Sequence, residues 1–364
     1  MAATLSHSDR IAEAEALRAR RRALAAERPE LRVRDAAAAL GVSEAALVAA
    51  EVGESVVRLA PDMRELVRGL PSLGRVMVLT RNETAVHERK GVFGNIKTGG
   101  HVGLVLNETI DLRLFFAHWR TAFAVTEEVR SGRRRSLQVF DADGVAVHKI
   151  YLLAESDAAA FDALVARWRA EDQAPGLDRR AARARRERAD PVAEGAVDVE
   201  GFRDAWRAMQ DVHEFHGMLR RHKLSRRRAM DLAEPEFVSP APAGALARAL
   251  EMAAARETPI MVFVNNRGCI QIHSGPIRTV RPAGDWDNVL DPDFNLHVRR
   301  DRVREAFVVR KPTADGIVTA LELYDADGAH VLQMFGVRKP GIEESTSWRK
   351  LTEDILSAPA EAPA

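Results

Sequence analysis

Apolar and polar positions follow two different patterns along the first half of the chain. Residues 10–28, 34–51 and 157–171 are rich in Ala, Leu, Glu and Arg, which favours helices. Between them, short runs rich in Val, Ile, Phe and Thr are typical of strands bounded by turns. These predicted strands are 75–80, 84–89, 102–106, 119–125, 135–140 and 145–151. The pattern predicts short strands with helices before and after them.

The same order of residues recurs 184 positions further along the chain. Met77-Val78 returns as Met261-Val262, and the Asp-Ala-Asp-Gly of 141–144 returns at 325–328. Between these two matches, single residues keep the same spacing. They are Asn82 and Asn266, Gly91 and Gly275, Gly100 and Gly284, Leu106 and Leu290, Leu112 and Leu296, Phe123 and Phe307, and Gly132 and Gly316. One register kept over this distance indicates a tandem duplication.

The duplication and the turns predict the fold class. In each copy Asp-Ala-Asp-Gly joins two β-rich runs, with Gly at a position suited to a hairpin turn. Many short strands joined in this way predict antiparallel sheets. The helices predicted for the second copy are 201–222, 225–232, 242–256 and 345–357. We expect an α+β protein, a tandem structural duplication in which each half is a large antiparallel sheet with flanking helices.

The predicted domains follow from the same repeat. They are a first repeat over 12–172, an Arg-rich linker over 173–200 and a second repeat over 201–357. The last residues, 358–364, are rich in Ala and Pro and are predicted to be disordered.

Composition excludes several kinds of chemistry. A net charge of +1 argues against a protein that binds nucleic acid through bulk electrostatics. The single cysteine, Cys269, excludes internal disulfides, all-thiolate zinc sites, iron–sulfur clusters and covalent haem attachment. The chain shows neither an apolar run of about 18 residues nor the apolar core of a secretory signal. We expect a cytoplasmic protein without membrane insertion.

The second copy departs from the first at a pair of histidines. The segment Asp211-Val212-His213-Glu214-Phe215-His216 corresponds to residues near 25–35, which contain no histidine. Three residues apart on the predicted helix, His213 and His216 share roughly one face. Both are compatible with packing or surface roles, but neutral imidazole is also the commonest metal ligand.

The choice of metal is narrowed by what surrounds these histidines. Neither a cysteine nor an H-E-x-x-H motif lies nearby to complete a zinc site. A haem iron needs as little as one axial histidine, because the porphyrin supplies four nitrogens. A haem pocket also needs apolar surface and cations for its two propionates. The candidates for the apolar surface are Phe215, Met218 and Leu219, and those for the cations are Arg226, Lys311 and Arg338.

Three segments are similar to the bacterial haemin-degrading factor family, cytoplasmic proteins of haem-uptake systems. They are DVHEFHGMLRRHKLSRRRA (211–229), LNETIDLRLFFAHW (106–119) and VLQMFGVRKPG (331–341). The resemblance extends from about residue 12 to residue 357 and includes the spacing of the repeat.

The resemblance implies haem b bound without a covalent link, with His213 as the axial ligand of its iron. Some members of the family have further histidines one and three residues after the axial one, which are implicated in ligand switching or transfer. In this chain the first of these positions is Glu214 and the second is His216, so only His216 could act in that way. Arg113, in Asp-Leu-Arg, matches an arginine on the opposite face of the haem, which would be catalytic in a degrading protein. The implied contacts with the propionates and haem periphery are Arg226, Lys311, Gln333, Phe335 and Arg338.

Several points of this assignment stay open. Phe335 stands where related proteins have a tyrosine, which keeps the ring but not the hydroxyl, so the polar contact that the resemblance implies there is open. Arg113 is also compatible with a salt-bridged strand residue, and Arg338 with a surface charge. The implied site takes Arg113 from the first copy and its other members from the second. Three other histidines, at 87, 101 and 273, are interpreted as ordinary sheet or loop residues.

We expect a haem-binding protein that receives imported haem and passes it to a haem oxygenase. The alternative is an enzyme that opens the porphyrin with a reductant and O2. The expected partners are haem, a haem oxygenase and the cytoplasmic side of a haem importer. A DNA-binding regulator is a distant alternative, because residues 34–50 resemble a helix-turn-helix with Gly41 at the turn and Ser43 as N-cap. Its second helix offers Glu44 and Glu51 and no basic residue, so we expect no nucleic-acid partner.

Overall fold

The computed structural model describes residues 7–129, 132–177, 197–338 and 341–358. Most of the predicted linker and almost all of the predicted disordered tail lie outside these described residues. The chain divides into two compact units. The first holds the described parts of Met1–Arg81, Glu88–Arg186 and Asn266–Gln271, and the second those of Asn82–His87, Glu187–Asn265 and Ile272–Ala364. The domain boundaries expected from the sequence stay a prediction.

Helices open and close each copy. In the described residues they are α1 (His7–Glu27), α2 (Val33–Ala39), α3 (Glu44–Ala50), α4 (Met63–Gly69), α5 (Ala158–Trp168), α6 (Val199–Arg207), α7 (Glu214–Arg221), α8 (Arg226–Leu232), α9 (Ala245–Ala255) and α10 (Thr346–Ser357). Short 3-10 helices cover Leu70–Leu73, Phe116–His118 and Arg300–Arg302. None of the helices in the described ranges is long and apolar enough to cross a membrane.

Between the helices lie the strands. Those of the first copy are β1 (Val56–Leu59), β2 (Arg75–Arg81), β3 (Ala85–Val92), β4 (Ile96–Lys97), β5 (Gly103–Leu106), β6 (Asp111–Leu114), β7 (Thr121–Val129), β8 (Gly132–Phe140) and β9 (Ala146–Leu152). Those of the second are β10 (Val238–Pro240), β11 (Ile260–Asn265), β12 (Cys269–Gly275), β13 (Trp286–Leu290), β14 (Phe294–Arg299), β15 (Val303–Thr313), β16 (Gly316–Asp325) and β17 (His330–Gly336).

The strands form two large antiparallel sheets, of eight and nine strands, which confirms the predicted fold class. In the first unit, five neighbouring strands run in the order β1-β7-β8-β9-β2, and in the second the order β10-β15-β16-β17-β11 repeats it. The register repeats as well, since Ala124 pairs with Leu137 and Val308 with Leu321, each 184 residues later. The duplication seen in the sequence is therefore a duplication of strand pairing.

The two Asp-Ala-Asp-Gly turns have the same local cause. Asp141 Oδ1 accepts the backbone N–H groups of Asp143 and Val145, both at 2.9 Å. Asp325 Oδ1 accepts the N–H groups two and four residues on, at 3.0 and 2.8 Å. Gly144 and Gly328 have φ of +76° and +69°, a conformation that glycine adopts without a Cβ clash. The hairpins predicted from these turns are confirmed.

Two of the predicted helices are divided in the structure. The stretch 34–51 forms α2 and α3, which are separated at Gly41, and Ser43 Oγ caps α3 by accepting the N–H of Ala46 at 3.2 Å. The continuous helix predicted over 201–222 is wrong, because α6 ends at Arg207 and α7 begins at Glu214. His213 therefore precedes α7, and the expectation that both histidines lie within one helix is corrected.

Candidate functional site

The histidine loop, residues 208–213, joins α6 to α7 and ends at His213. The side chain of His213 is 89% exposed, and its Nδ1 lies 2.6 Å from Oδ1 of Asp211. The backbone N–H of His213 donates to the same oxygen at 2.9 Å, and this bond is the main cause that lowers the pKa of Asp211. Because an ionised Asp211 accepts a hydrogen bond from the Nδ1–H group of His213, the lone pair of Nε2 is left for a metal ion.

Contacts within the second unit hold the histidine loop in place. The N–H of Ala314 donates to the carbonyl of Gln210 at 2.9 Å, which ties the loop to the turn between β15 and β16. On α6, Trp206 packs edge-to-face on Phe215, with 5.0 Å between the ring centroids. Trp206 also donates its Nε1–H to the carbonyl of Arg310 at 3.0 Å. Both aromatic side chains are buried, so the loop is anchored at each end.

Arg338 lies beside the same turn. Its Nη2 is 3.6 Å from Oδ2 of Asp315, which also accepts the N–H of Gly341 at 2.9 Å. The positive charge of Arg338 adds to the lowering of the Asp211 pKa, after the hydrogen bonds and charge of His213. The structure thus places Arg338 in electrostatic reach of the carboxylate that supports His213.

A second group of side chains, the Glu322 cluster, gathers on one buried carboxylate. It consists of Arg226, Lys311, Glu322, Tyr324 and Gln333. Arg226 donates from Nε and Nη2 to the two oxygens of Glu322, each at 2.7 Å. Lys311 Nζ and the Tyr324 hydroxyl donate to the same carboxylate at 2.6 and 2.8 Å. Gln333 Oε1 accepts from Arg226 Nη2 at 2.7 Å.

Burial and charge oppose each other in this cluster. Glu322 is fully buried, and burial alone would raise its pKa, but Arg226 and Lys311 outweigh that effect and hold the pKa well below its usual value. Burial lowers the pKa of Lys311 to about 8, with Glu322 acting against it. The ring of Phe215 covers both cations, with Lys311 Nζ 4.3 Å and Arg226 Cζ 5.2 Å from its centroid.

His216 is an exposed residue in the first turns of α7. Partial burial, Arg220 and Arg226 lower its pKa, in that order of importance. A lowered pKa keeps the imidazole neutral near pH 7, which is the form that binds a metal ion.

Arg113 and Phe335 occupy well-defined places in their own units. In the first unit, Arg113 on β6 donates from Nη1 to the carboxylate of Asp111 and, at 3.3 Å, to the carbonyl of Leu112. Its side chain is 31% exposed, so it is both a salt-bridged strand residue and accessible. In the second unit, Phe335 on β17 is half-buried and packs edge-to-face on Phe263, with 5.2 Å between centroids.

The structure brings together Arg226, Lys311 and Gln333 as one cluster, although they come from three separate elements. Two acceptors that organise the candidate site, Asp211 and Glu322, are not among the residues predicted from the sequence. A signal was present for Glu322, because the equivalent position in the first copy is a glutamine.

The possible helix-turn-helix has the predicted turn but not an exposed second helix. Six of the seven residues of α3 are buried, and Glu44 itself is 6% exposed. A recognition helix must present its side chains to base edges in a groove. The surroundings of α3 leave it no such face.

The chain is thus a duplicated α+β protein whose second copy presents a histidine supported by an aspartate and two cations that share one carboxylate. The description "Haemin-degrading HemS.ChuX domain" matches the chain twice, over residues 41–168 and 223–355. The chain belongs to the haemin-degrading HemS/ChuX family.

Similar proteins span nearly the whole chain. The hemin transport protein HmuS of Yersinia pestis is 40% identical over 334 residues, which are 91% of this chain and 95% of that protein. The structure of holo-PhuS, a heme-binding protein from Pseudomonas aeruginosa, superposes with a TM-score of 0.91 at 46% identity, covering 94% and 99% of the two chains. ChuS, described as an E. coli heme oxygenase, gives a TM-score of 0.80 at 39% identity, covering 89% and 95%.

Proposed function

We propose that this protein binds haem non-covalently in the cytoplasm and passes it to a haem oxygenase during haem uptake. The observation that carries the proposal is the pairing of exposed His213 with ionised Asp211, which leaves Nε2 as a ready metal donor. The family membership and the heme-binding and hemin-transport relatives support the same function.

The residues of the second unit fit the chemistry of haem. When bound, haem would supply an iron atom that accepts a nitrogen lone pair and two carboxylates that need cations. His213 would serve the iron, while Arg226, Lys311 and Arg338 would serve the carboxylates beside the apolar surfaces of Phe215 and Phe335. Gln333 would add an amide contact at the edge of the ring.

A non-covalent haem b also agrees with the state of the cysteine. Cys269 is fully buried, and burial raises the pKa of its thiol to about 12. A buried neutral thiol neither ligates iron nor forms a thioether bond.

The exposure of His213 suits a carrier that must release its cargo. Asp211 holds the proton on Nδ1, so Nε2 stays a donor while haem enters and leaves. His216, with its lowered pKa, would offer a second neutral imidazole during transfer. The partners of such a carrier would be a haem oxygenase and the cytoplasmic side of a haem importer, and we expect none among nucleic acids.

Degradation of haem by this chain is the second candidate, favoured by Arg113. Its partly exposed guanidinium is oriented by Asp111, and such a group stabilises negative charge that develops during a reaction. The ChuS structure described as a heme oxygenase supports this alternative. In such an enzyme Arg113 would be a catalytic residue.

The binding test is titration of the purified protein with haemin, followed in the Soret band. We expect a saturable shift at about one haem per chain in the wild type and in His101→Ala, an exposed control histidine. His213→Ala removes the wild-type spectrum. If His213→Ala and the double variant with His216→Ala both keep that spectrum and affinity, neither histidine is the ligand.

The two candidate functions are separated by adding an electron donor and O2 to the haem complex in the presence of catalase. A carrier keeps its Soret band until an acceptor is added. Loss of the band with a single tetrapyrrole product identifies degradation, and Arg113→Ala would then slow product formation without weakening haem binding.

A further inference from the structure

We propose that Glu322 is a positioning residue that makes the second unit selective for ligands carrying a free carboxylate. It would do so by fixing the guanidinium of Arg226, and the cluster keeps one net positive charge because Lys311 is present as a second cation. This inference rests on the proposed haem binding and adds the residue that decides which tetrapyrroles are accepted.

Part of the Glu322 cluster is buried, and part of it is accessible to a ligand. Glu322 and Lys311 are 0% and 3% exposed, whereas the side chain of Arg226 is 29% exposed. Arg226 uses Nε and Nη2 on Glu322, and Nη2 also on Gln333, so the plane of the guanidinium is set. Nη1 is the nitrogen that these bonds leave for an incoming acceptor.

The charges in the cluster do not cancel. Glu322 carries one negative charge against the two positive charges of Arg226 and Lys311. The other groups that face the carboxylate are neutral, since Tyr324 donates its hydroxyl and burial lowers the pKa of His330 to about 3. One uncompensated positive charge in a largely buried cluster favours a ligand that brings one carboxylate.

The fold itself does not require an acid at this position. The equivalent residue in the first copy is Gln138, which is buried in the same register and donates from Nε2 to Ser136 Oγ at 3.0 Å. Because the same strand pairing forms with a neutral amide, the carboxylate of Glu322 serves the cations rather than the sheet.

The experiment compares haemin with haemin dimethyl ester, which keeps the iron and ring but lacks free carboxylates. Dissociation constants are measured for wild type, Glu322→Gln and Glu305→Gln at pH 7. Glu305 is a matched control because it pairs with Arg227, the next residue on α8. We expect Glu322→Gln to weaken haemin binding about tenfold, because an Arg226 side chain that is no longer held loses one charge-assisted hydrogen bond to the ligand and this loss outweighs the added positive charge. Affinity for the ester should stay within about twofold.

Conservative and double variants complete the test. Glu322→Asp, which keeps the charge, should recover part of the preference for haemin. If Glu322→Gln does not fold, Glu322→Gln combined with Lys311→Met removes the buried charge pair together and should also lose that preference. An unchanged or larger preference in the folded glutamine variant, single or double, overturns the inference. Failure of the wild type to bind either ligand overturns the proposed function instead.

Discussion

Each unit contains a helix that begins just after a serine cap and places its first side chain in a buried ion cluster. In the first unit this side chain is Glu44 of α3, which accepts from Lys149 and Arg81. In the second it is Arg226 of α8, which donates to Glu322. The positions are equivalent in the fold, but the sign of the charge on the helix is reversed.

The reversal matters because a helix N-terminus carries partial positive charge and favours an acid. Glu44 obeys this rule, and Lys149 and Arg81 outweigh its burial, so its pKa is lowered. α8 instead begins with three arginines, residues 226–228, at a cost of about 0.3–1 kcal/mol for each unfavourable charge. Local rules are broken most often at functional sites, which agrees with a structural role for the cluster in the first unit and with the binding role proposed for the cluster in the second.

The largest expected effect is a loss of stability when the ion cluster of Glu44 in the first unit is broken. Glu44→Ala leaves Lys149 buried without its main counterion, so we expect the variant to lose about 3–5 kcal/mol of stability. Denaturant unfolding measures the loss, and the double variant with Lys149→Met should recover most of it. Haemin affinity, measured on the folded protein, should stay unchanged. A large loss of affinity would show that the first cluster also serves binding.

A smaller effect is expected at the histidine loop, whose counterpart near residues 25–35 contains no histidine. Asp211→Asn keeps the size of the side chain but removes the charge that holds the proton on Nδ1 of His213. We expect haemin affinity to fall about 10–100-fold, with a changed iron–histidine stretching frequency in the Raman spectrum of the reduced complex. An Asp62→Asn control leaves the loop intact, since Asp62 caps α4. Equal spectra in the wild type and Asp211→Asn would contradict this role.

The smallest effect is a pH dependence of binding. Burial lowers the pKa of Lys311 to about 8, so the side chain is charged at neutral pH and loses its proton as the pH rises through that value. The cluster then becomes neutral, and haemin affinity should fall about threefold between about pH 7 and pH 9. The Lys311→Met variant should not show this fall in haemin affinity with pH. Parallel pH profiles in the two proteins would exclude Lys311 as its source.

Local sequence patterns predicted a large part of the fold. The hairpins follow from the Asp-Ala-Asp-Gly turns, in which Asp141 and Asp325 cap their own backbone and glycine takes a positive φ. The helix break at Gly41 is equally local. The break before His213 was not predicted, because the chain there is held by the contact of Gln210 with Ala314, more than a hundred residues away.

Part of the candidate site is likewise readable from the sequence, and part of it depends on the fold. The order of residues is enough to show that the chain is a duplication and that the second copy differs at His213. Folding is needed to bring Arg226 and Lys311 to the same carboxylate of Glu322, and to pair Gln333 with Glu322 across β16 and β17. The reason is physical: a buried carboxylate must find its cations wherever strand register places them, and register is set by the whole sheet rather than by neighbours in the chain.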